Sequence, residues 1–213
     1  MRLGGFEPFT VSDFPGRLAA IVFSQVCNFR CPFCHNGTLL GQRPATELVK
    51  NRDFFAFLAR RQGLLSGVVV SGGEPTLQEG LPDFCRCLKG MGFAVKLDTN
   101  GSRPQVIHDL IEGQLVDYIA MDIKAPLARY ELLAGKDGAA EHISSAIALI
   151  AQSGVPHHFR TTHVRSLLTD DDLRLVQELV PPGSTHRVQP FIAASALDPD
   201  LRQAPEGDAI LFV

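Results

Sequence analysis

The chain has 213 residues, 45% of them hydrophobic and 20% charged, which is the composition of a globular protein and excludes wholesale disorder. Its 20 basic and 23 acidic residues leave a formal net charge of −3, with no basic footprint for nucleic acid or an anionic membrane. No apolar run approaches the ~20 residues of a spanning helix, and Met1-Arg2-Leu3-Gly4-Gly5 lacks the basic start and apolar stretch of a signal peptide, so a cytoplasmic location is expected.

After an N-terminal extension over about residues 1–17, a β-branched run at 18–26 predicts the first strand, which leads into Cys27-Asn28-Phe29-Arg30-Cys31-Pro32-Phe33-Cys34. Residues 46–62 carry Phe54, Phe55 and Leu58 at helical spacing and end near Gly63. A second strand at 67–71 runs into Gly72-Gly73-Glu74-Pro75, and a helix at 81–89 follows. The third strand, 93–98, ends in Asp98-Thr99-Asn100-Gly101 before a helix at 103–112. The fourth, 118–123, ends in Asp122-Ile123-Lys124 before a helix at 141–152. The fifth, 158–164, holds Arg160 and His163. Thr169 followed by three aspartates then reads as an N-cap with acid in the first turn of a helix that Pro181-Pro182-Gly183 stops. Gln189 lies in a sixth strand, 187–191. In the tail, about 193–213, the apolar end at 210–213 is one more strand or a packing arm.

Six strands joined by helical crossovers predict an α/β fold with a parallel sheet and right-handed connections. Six units are too few for a closed eight-fold barrel. A single domain is expected, its core at about 18–192 forming a partial, open (β/α)6 barrel, with a doubly wound flat sheet as the alternative. In such folds ligands bind at the carboxyl ends of the strands. Here every one of those ends carries polar or reactive residues, which core packing alone does not require.

Five cysteines, an odd number, do not suit a disulfide framework. Cys27, Cys31 and Cys34 have the spacing C-x3-C-x2-C and suit a metal or an iron–sulfur cluster. Three sulfurs on a four-iron cluster leave one iron open. Cys85 and Cys87 sit two apart on a predicted helix and face different ways. A zinc site using His35 as fourth ligand would need adjacent ligands on one ion. Asp98 and Asp122 end neighbouring strands, where their charges repel unless a cation intervenes. Arg160 in a strand is costly to bury without an anion.

The cysteine segment, with Phe33 in the aromatic position, resembles the C-x3-C-x-aromatic-C signature of the radical S-adenosylmethionine enzymes. Gly72-Gly73-Glu74-Pro75 is similar to that superfamily's GGE motif. Ser12-Asp13-Phe14-Pro15-Gly16-Arg17, Cys34-His35-Asn36, Asp98-Thr99-Asn100-Gly101 and Asp122-x-Lys124 resemble its glycyl-radical-enzyme activating group. Gly5-Phe6-Glu7-Pro8-Phe9 and Phe159-Arg160-Thr161-Thr162 resemble the members that act on anaerobic ribonucleoside-triphosphate reductase. The segment between Cys34 and Gly72 holds no cysteine, which suits a single cluster.

The resemblance implies a [4Fe–4S] cluster on Cys27, Cys31 and Cys34. It implies S-adenosylmethionine bound by Phe33, Gly72, Gly73, Glu74, Asp98, Asn100, Lys124 and Arg160, with Glu74 facing the ammonium group and Lys124 the carboxylate. It further implies a monovalent cation on Asp98, Thr99 and Asp122. The protein substrate would be a glycyl-radical enzyme, anaerobic ribonucleotide reductase, and the electron donor a flavodoxin or ferredoxin. Two other functions compete: a radical S-adenosylmethionine enzyme for a small molecule, like the 7-carboxy-7-deazaguanine synthases, and a zinc-stabilised binding module without chemistry.

Overall fold

A strand that the pattern did not announce comes first. In the computed structural model, which describes residues 1–44, 46–136 and 138–203, β1 (Leu3–Thr10) pairs antiparallel with β2 (Ala19–Ser24). The N-terminal extension is therefore part of the sheet. Gly4, Gly5 and Pro8 dilute the strand signal, and an edge position with irregular register tolerates them. The remaining strands are β3 (Gly67–Gly72), β4 (Ala94–Thr99), β5 (Tyr118–Asp122), β6 (His157–His163) and β7 (Thr185–Pro190). The helices are α1 (Asn51–Ala59), α2 (Leu81–Gly90), α3 (Pro104–Glu112), the short α4 (Tyr130–Ala134), α5 (Ala139–Gln152) and α6 (Asp170–Leu179).

All six anticipated strands and five anticipated helices form within a few residues of their expected bounds. The largest shift is at α1, which begins at Asn51 rather than near residue 46. Val49 is drawn into an antiparallel bridge with Leu3, its N–H donating to the Leu3 carbonyl at 2.9 Å. That pairing takes the preceding residues out of the helix. At α6 the Thr169 hydroxyl accepts the Asp172 N–H and the Asp172 carboxylate accepts the Thr169 N–H, a reciprocal cap of the expected kind.

The strand order is β1-β2-β3-β4-β5-β6-β7, with β2 to β7 parallel and each strand beside its sequence neighbour. A doubly wound sheet needs a reversal of strand order, and none occurs here. The arrangement is the open, singly wound barrel.

The two sheet faces differ sharply. Val22, Val68, Val70, Val95, Leu97, Ile119, Met121 and Phe159 pack under the helices in one large core with Phe54, Leu58, Phe84, Leu88, Ile107 and Ile147. The other face has an apolar cluster near the strand starts, where Phe14 covers Ala19, Val69 and Ala94. Towards the carboxyl ends the same face carries Ser71, Lys96, Asp98, Asp122 and Arg160. The apolar half gives rigidity, and the polar half forms the site. Beyond β7, Ala196 and Leu201 return to the large core; the apolar end at 210–213 lies outside the described residues.

Candidate active site

The cysteine loop starts with a backbone reversal. Val26 has φ +81°, uncommon for a β-branched residue and worth about 1–3 kcal/mol of strain. It is held there by its N–H donating to the Leu39 carbonyl at 2.6 Å and by its own carbonyl accepting from Glu74 N–H at 2.8 Å. Cys27, Cys31 and Phe33 are buried and Cys34 half-buried. The Arg30 guanidinium donates to the carbonyls of Cys27 and Phe29, both at 2.7 Å, closing the loop on itself. Burial, then the nearby Glu74 carboxylate, pushes the Cys27 thiol up to about 12. Burial pushes Cys31 up to about 11. Both are therefore protonated at neutral pH until a metal displaces the protons.

Gly72 and Gly73 are required by this loop. Gly72 has φ +113°, and a Cβ there would lie 2.6 Å from the Ser24 carbonyl oxygen and closer still to its nitrogen. A Cβ on Gly73 would overlap the Val26 carbonyl group. The close approach that these glycines permit is thus to the end of β2 and the start of the cysteine loop. Asn36 Nδ2 donates to the Gly72 carbonyl at 3.1 Å and fastens the far side of the loop to the same turn.

Glu74 departs from expectation. It is fully buried, and its carboxylate is saturated within the protein. Oε1 accepts from Thr76 N–H at 3.1 Å, the Thr76 hydroxyl at 2.5 Å and the Thr99 hydroxyl at 2.8 Å, while Oε2 accepts from Asn100 N–H at 2.7 Å. The side chain expected to meet an ammonium group instead braces the turn after β3 against the turn after β4. Sequence spacing does not reveal such bonds, because all four donors are backbone N–H groups or hydroxyls.

Asp98 and Asp122 do converge, and side chains supply the charge balance expected of a monovalent cation. Lys96 pairs with Asp98 Oδ1, and Arg160 Nη2 lies 3.1 Å from Asp98 Oδ2. Arg160 Nε also pairs with Asp122 Oδ1, and Lys124 Nζ lies 2.8 Å from Asp122 Oδ2. Thr99 is committed to Glu74. All four carboxylate oxygens are engaged, so Asp98, Thr99 and Asp122 form no open ligand set. Burial pushes both carboxyls up, but the Arg160 guanidinium, with Lys96 at Asp98 and Lys124 at Asp122, outweighs it and holds both below the usual range. Burial likewise opposes the Lys124 charge, and Asp122 more than restores it.

One cavity of about 320 Å³ has Cys27, Cys31, Cys34, Phe33, Gly72, Gly73, Glu74, Asp98, Thr99, Asn100, Asp122, Lys124 and Arg160 in its lining. Its volume is at the lower end for ligand pockets. Gln189 reaches it, as do Asp13, Ser71 and Thr162, which strand-end reasoning did not single out. Lys96 was also missed, although a lysine two residues before Asp98 in a central strand must share that face. His157, His158 and His163 bond to Ser184, Tyr118 and the Leu168 carbonyl, as ordinary strand residues. His35 stacks on the Phe191 ring, with centroids 5.8 Å apart.

The donors are three soft thiols lining one cavity. Among the described residues, no group of three or more His, Cys, Asp or Glu side chains gathers closely enough for a single metal ion. The arrangement suits a larger cluster held at its corners better than it suits zinc.

A family model described as the radical SAM superfamily matches residues 21–180. A protein of Methanocaldococcus jannaschii, provisionally named a glycyl-radical enzyme activating enzyme, is 30% identical over 212 residues, 95% of this chain and 85% of that one. The pyruvate formate-lyase 1-activating enzyme of Escherichia coli is 35% identical over 132 residues, so the match covers 58% of this chain and about half (52%) of that relative. The structure of Streptococcus suis SuiB bound to S-adenosylmethionine has a similar fold, with a TM-score of 0.64, 13% identity and coverage of 81% of this chain and 40% of that one.

The chain belongs to the radical SAM superfamily, whose members use a [4Fe–4S] cluster and S-adenosylmethionine. Within it, the chain belongs with the glycyl-radical enzyme activating enzymes.

Proposed function

We propose that this chain installs a radical on a glycine of a partner enzyme, anaerobic ribonucleoside-triphosphate reductase, in the cytoplasm, using electrons from a flavodoxin or ferredoxin. In this reading Cys27, Cys31 and Cys34 hold three corners of a [4Fe–4S] cluster. Phe33, Gly72, Gly73, Asp98, Asn100, Lys124 and Arg160 surround S-adenosylmethionine beside it. When bound, the cluster and S-adenosylmethionine supply the one-electron chemistry that takes a hydrogen atom from glycine.

The chain's own residues orient and insulate that chemistry. Phe29 and Phe33 are buried around the cysteines and keep water from the sulfurs. Lys124 offers its ammonium group to a cofactor carboxylate, and Glu74 holds two lining turns in fixed register.

The observation that carries the choice of a protein substrate is the exposed wall at β7. Thr185, Arg187 and Gln189 are exposed and alternate with half-buried His186, Val188 and Pro190. Arg187 and Gln189 stand opposite Arg160 and Thr162 in register, so they share the inner face of the barrel. A sealed small-molecule pocket would cover that wall, whereas a peptide loop can enter across it.

The test is an anaerobic mixture of the protein, the reductase, dithionite and S-adenosylmethionine, observed by electron paramagnetic resonance. A glycyl doublet that disappears with Cys31→Ala is expected. Formation of 5′-deoxyadenosine with no protein-borne radical would move the assignment to a small-molecule substrate.

A further inference from the structure

We propose that Asn100 is a positioning residue whose side-chain amide donates to the Cys27 sulfur and raises the reduction potential of the cluster bound there; this rests on the cluster reading above. Asn100 is 5% exposed, and its Nδ2 lies 3.8 Å from Cys27 Sγ, within reach for a hydrogen bond to the large sulfur atom. The backbone N–H of Phe29 donates to the same sulfur at 3.4 Å.

Which end of the Asn100 amide faces the sulfur follows from its neighbours. Ser102 N–H can only donate, and it lies 2.9 Å from Asn100 Oδ1, so that end is the oxygen. The nitrogen end therefore donates to Asn28 Oδ1 at 3.0 Å, and Asn28 Nδ2 in turn donates to Ser102 Oγ at 2.9 Å. The ring closes, one Asn100 proton is used on Asn28, and the other is left for Cys27. Glu74 Oε2 holds the Asn100 backbone as well. The donor is thus fixed in place before any electron arrives.

Reduction adds one electron, from [4Fe–4S]2+ to [4Fe–4S]+, supplied by a low-potential one-electron carrier, with no bond formed or broken. The added charge spreads onto the thiolate sulfurs. An N–H aimed at one of them stabilises the reduced form more than the oxidised form, the more so because the site is buried. Outer-shell donors of this kind tune a metal centre without touching it.

The experiment is a redox titration of anaerobically reconstituted holoprotein, followed by electron paramagnetic resonance, after iron and sulfide have been counted. Asn100→Ala is expected to lower the reduced-to-oxidised ratio at fixed potential about tenfold, which is 59 mV for a one-electron couple. Asn100→Asp keeps the shape and the acceptor for Ser102 N–H, loses the donor and adds charge, so its midpoint falls further. Ser102→Ala removes only the hydroxyl that closes the ring and leaves the midpoint unchanged.

A wild-type midpoint in either fully loaded Asn100 variant overturns the proposal, as does an equal shift in Ser102→Ala. If only Asn100→Ala loses the cluster, Asn100→Asp decides; loss in both assigns Asn100 to loop bracing and overturns it. Wild-type protein that takes up no four-iron cluster refutes the cluster reading itself, before any midpoint is measured.

Discussion

Glu74 Oε2 accepts the backbone N–H of Asn100 at 2.7 Å, and this bond ties the turn after β3 to the turn after β4. With three further donors on Oε1, the carboxylate is a structural hub. Glu74→Ala leaves buried donors without partners and is expected to cost about 3 kcal/mol. Glu74→Gln is no neutral control, since its amide nitrogen must face either Asn100 N–H or the Oε1 donors. It should cost about half as much. Urea unfolding of the metal-free protein measures both.

The overlap that a Gly73 side chain would meet is with the Val26 carbonyl group, and backbone cannot yield as a flexible side chain can. Gly73→Ala is expected to destabilise by about 3 kcal/mol and to lower the melting temperature by roughly 10 °C. Gly90→Ala, at the end of α2 with nothing within 4 Å of its Cβ position, should leave the melting temperature where it is or raise it slightly.

Asp98 and Asp122 are held below the ordinary carboxylate range when folded. Unfolded, they titrate near 3.9. Below that value the unfolded chain binds protons that the folded chain refuses, so the stability from both groups, fully present at neutral pH, declines as acid is added. Arg160→Leu removes the guanidinium shared by the two carboxylates. Its unfolding free energy should be lower at pH 7 and vary less steeply below pH ~4 than that of the wild type. Parallel slopes in a urea-by-pH series would contradict this.

The strand-end residues were legible because position in a parallel strand fixes both face and height. Asp98, Asp122, Lys124 and Arg160 all reached the anticipated cavity. What each one bonds to was not legible. Glu74 reached Thr99 and Asn100 at the end of the next strand and Arg160 reached Asp98 and Asp122 on two other strands, and those distances depend on register rather than on spacing along one segment. β1 escaped for a different reason. Gly4, Gly5 and Pro8 carry no strand preference, and only its partner β2 makes that segment extended.

The five thiols should separate by access. Cys87 is exposed and Cys34 half-buried, whereas Cys27, Cys31 and Cys85 are buried, with burial pushing their thiols up to about 12, about 11 and about 12. In metal-free protein at pH 7, iodoacetamide is expected to label Cys87 first, then Cys34, and the other three at least tenfold more slowly. Peptide mass spectrometry against time reads the order. Iron uptake should protect Cys34 and leave Cys87 labelled at its original rate.

The ladder inside the barrel holds Lys96, Arg160 and Lys124 against Asp98 and Asp122. Counted together, it carries a surplus of one positive charge. An incoming carboxylate therefore meets a ladder left one anion short, and these five side chains reach balance with it and with no proton gained or lost.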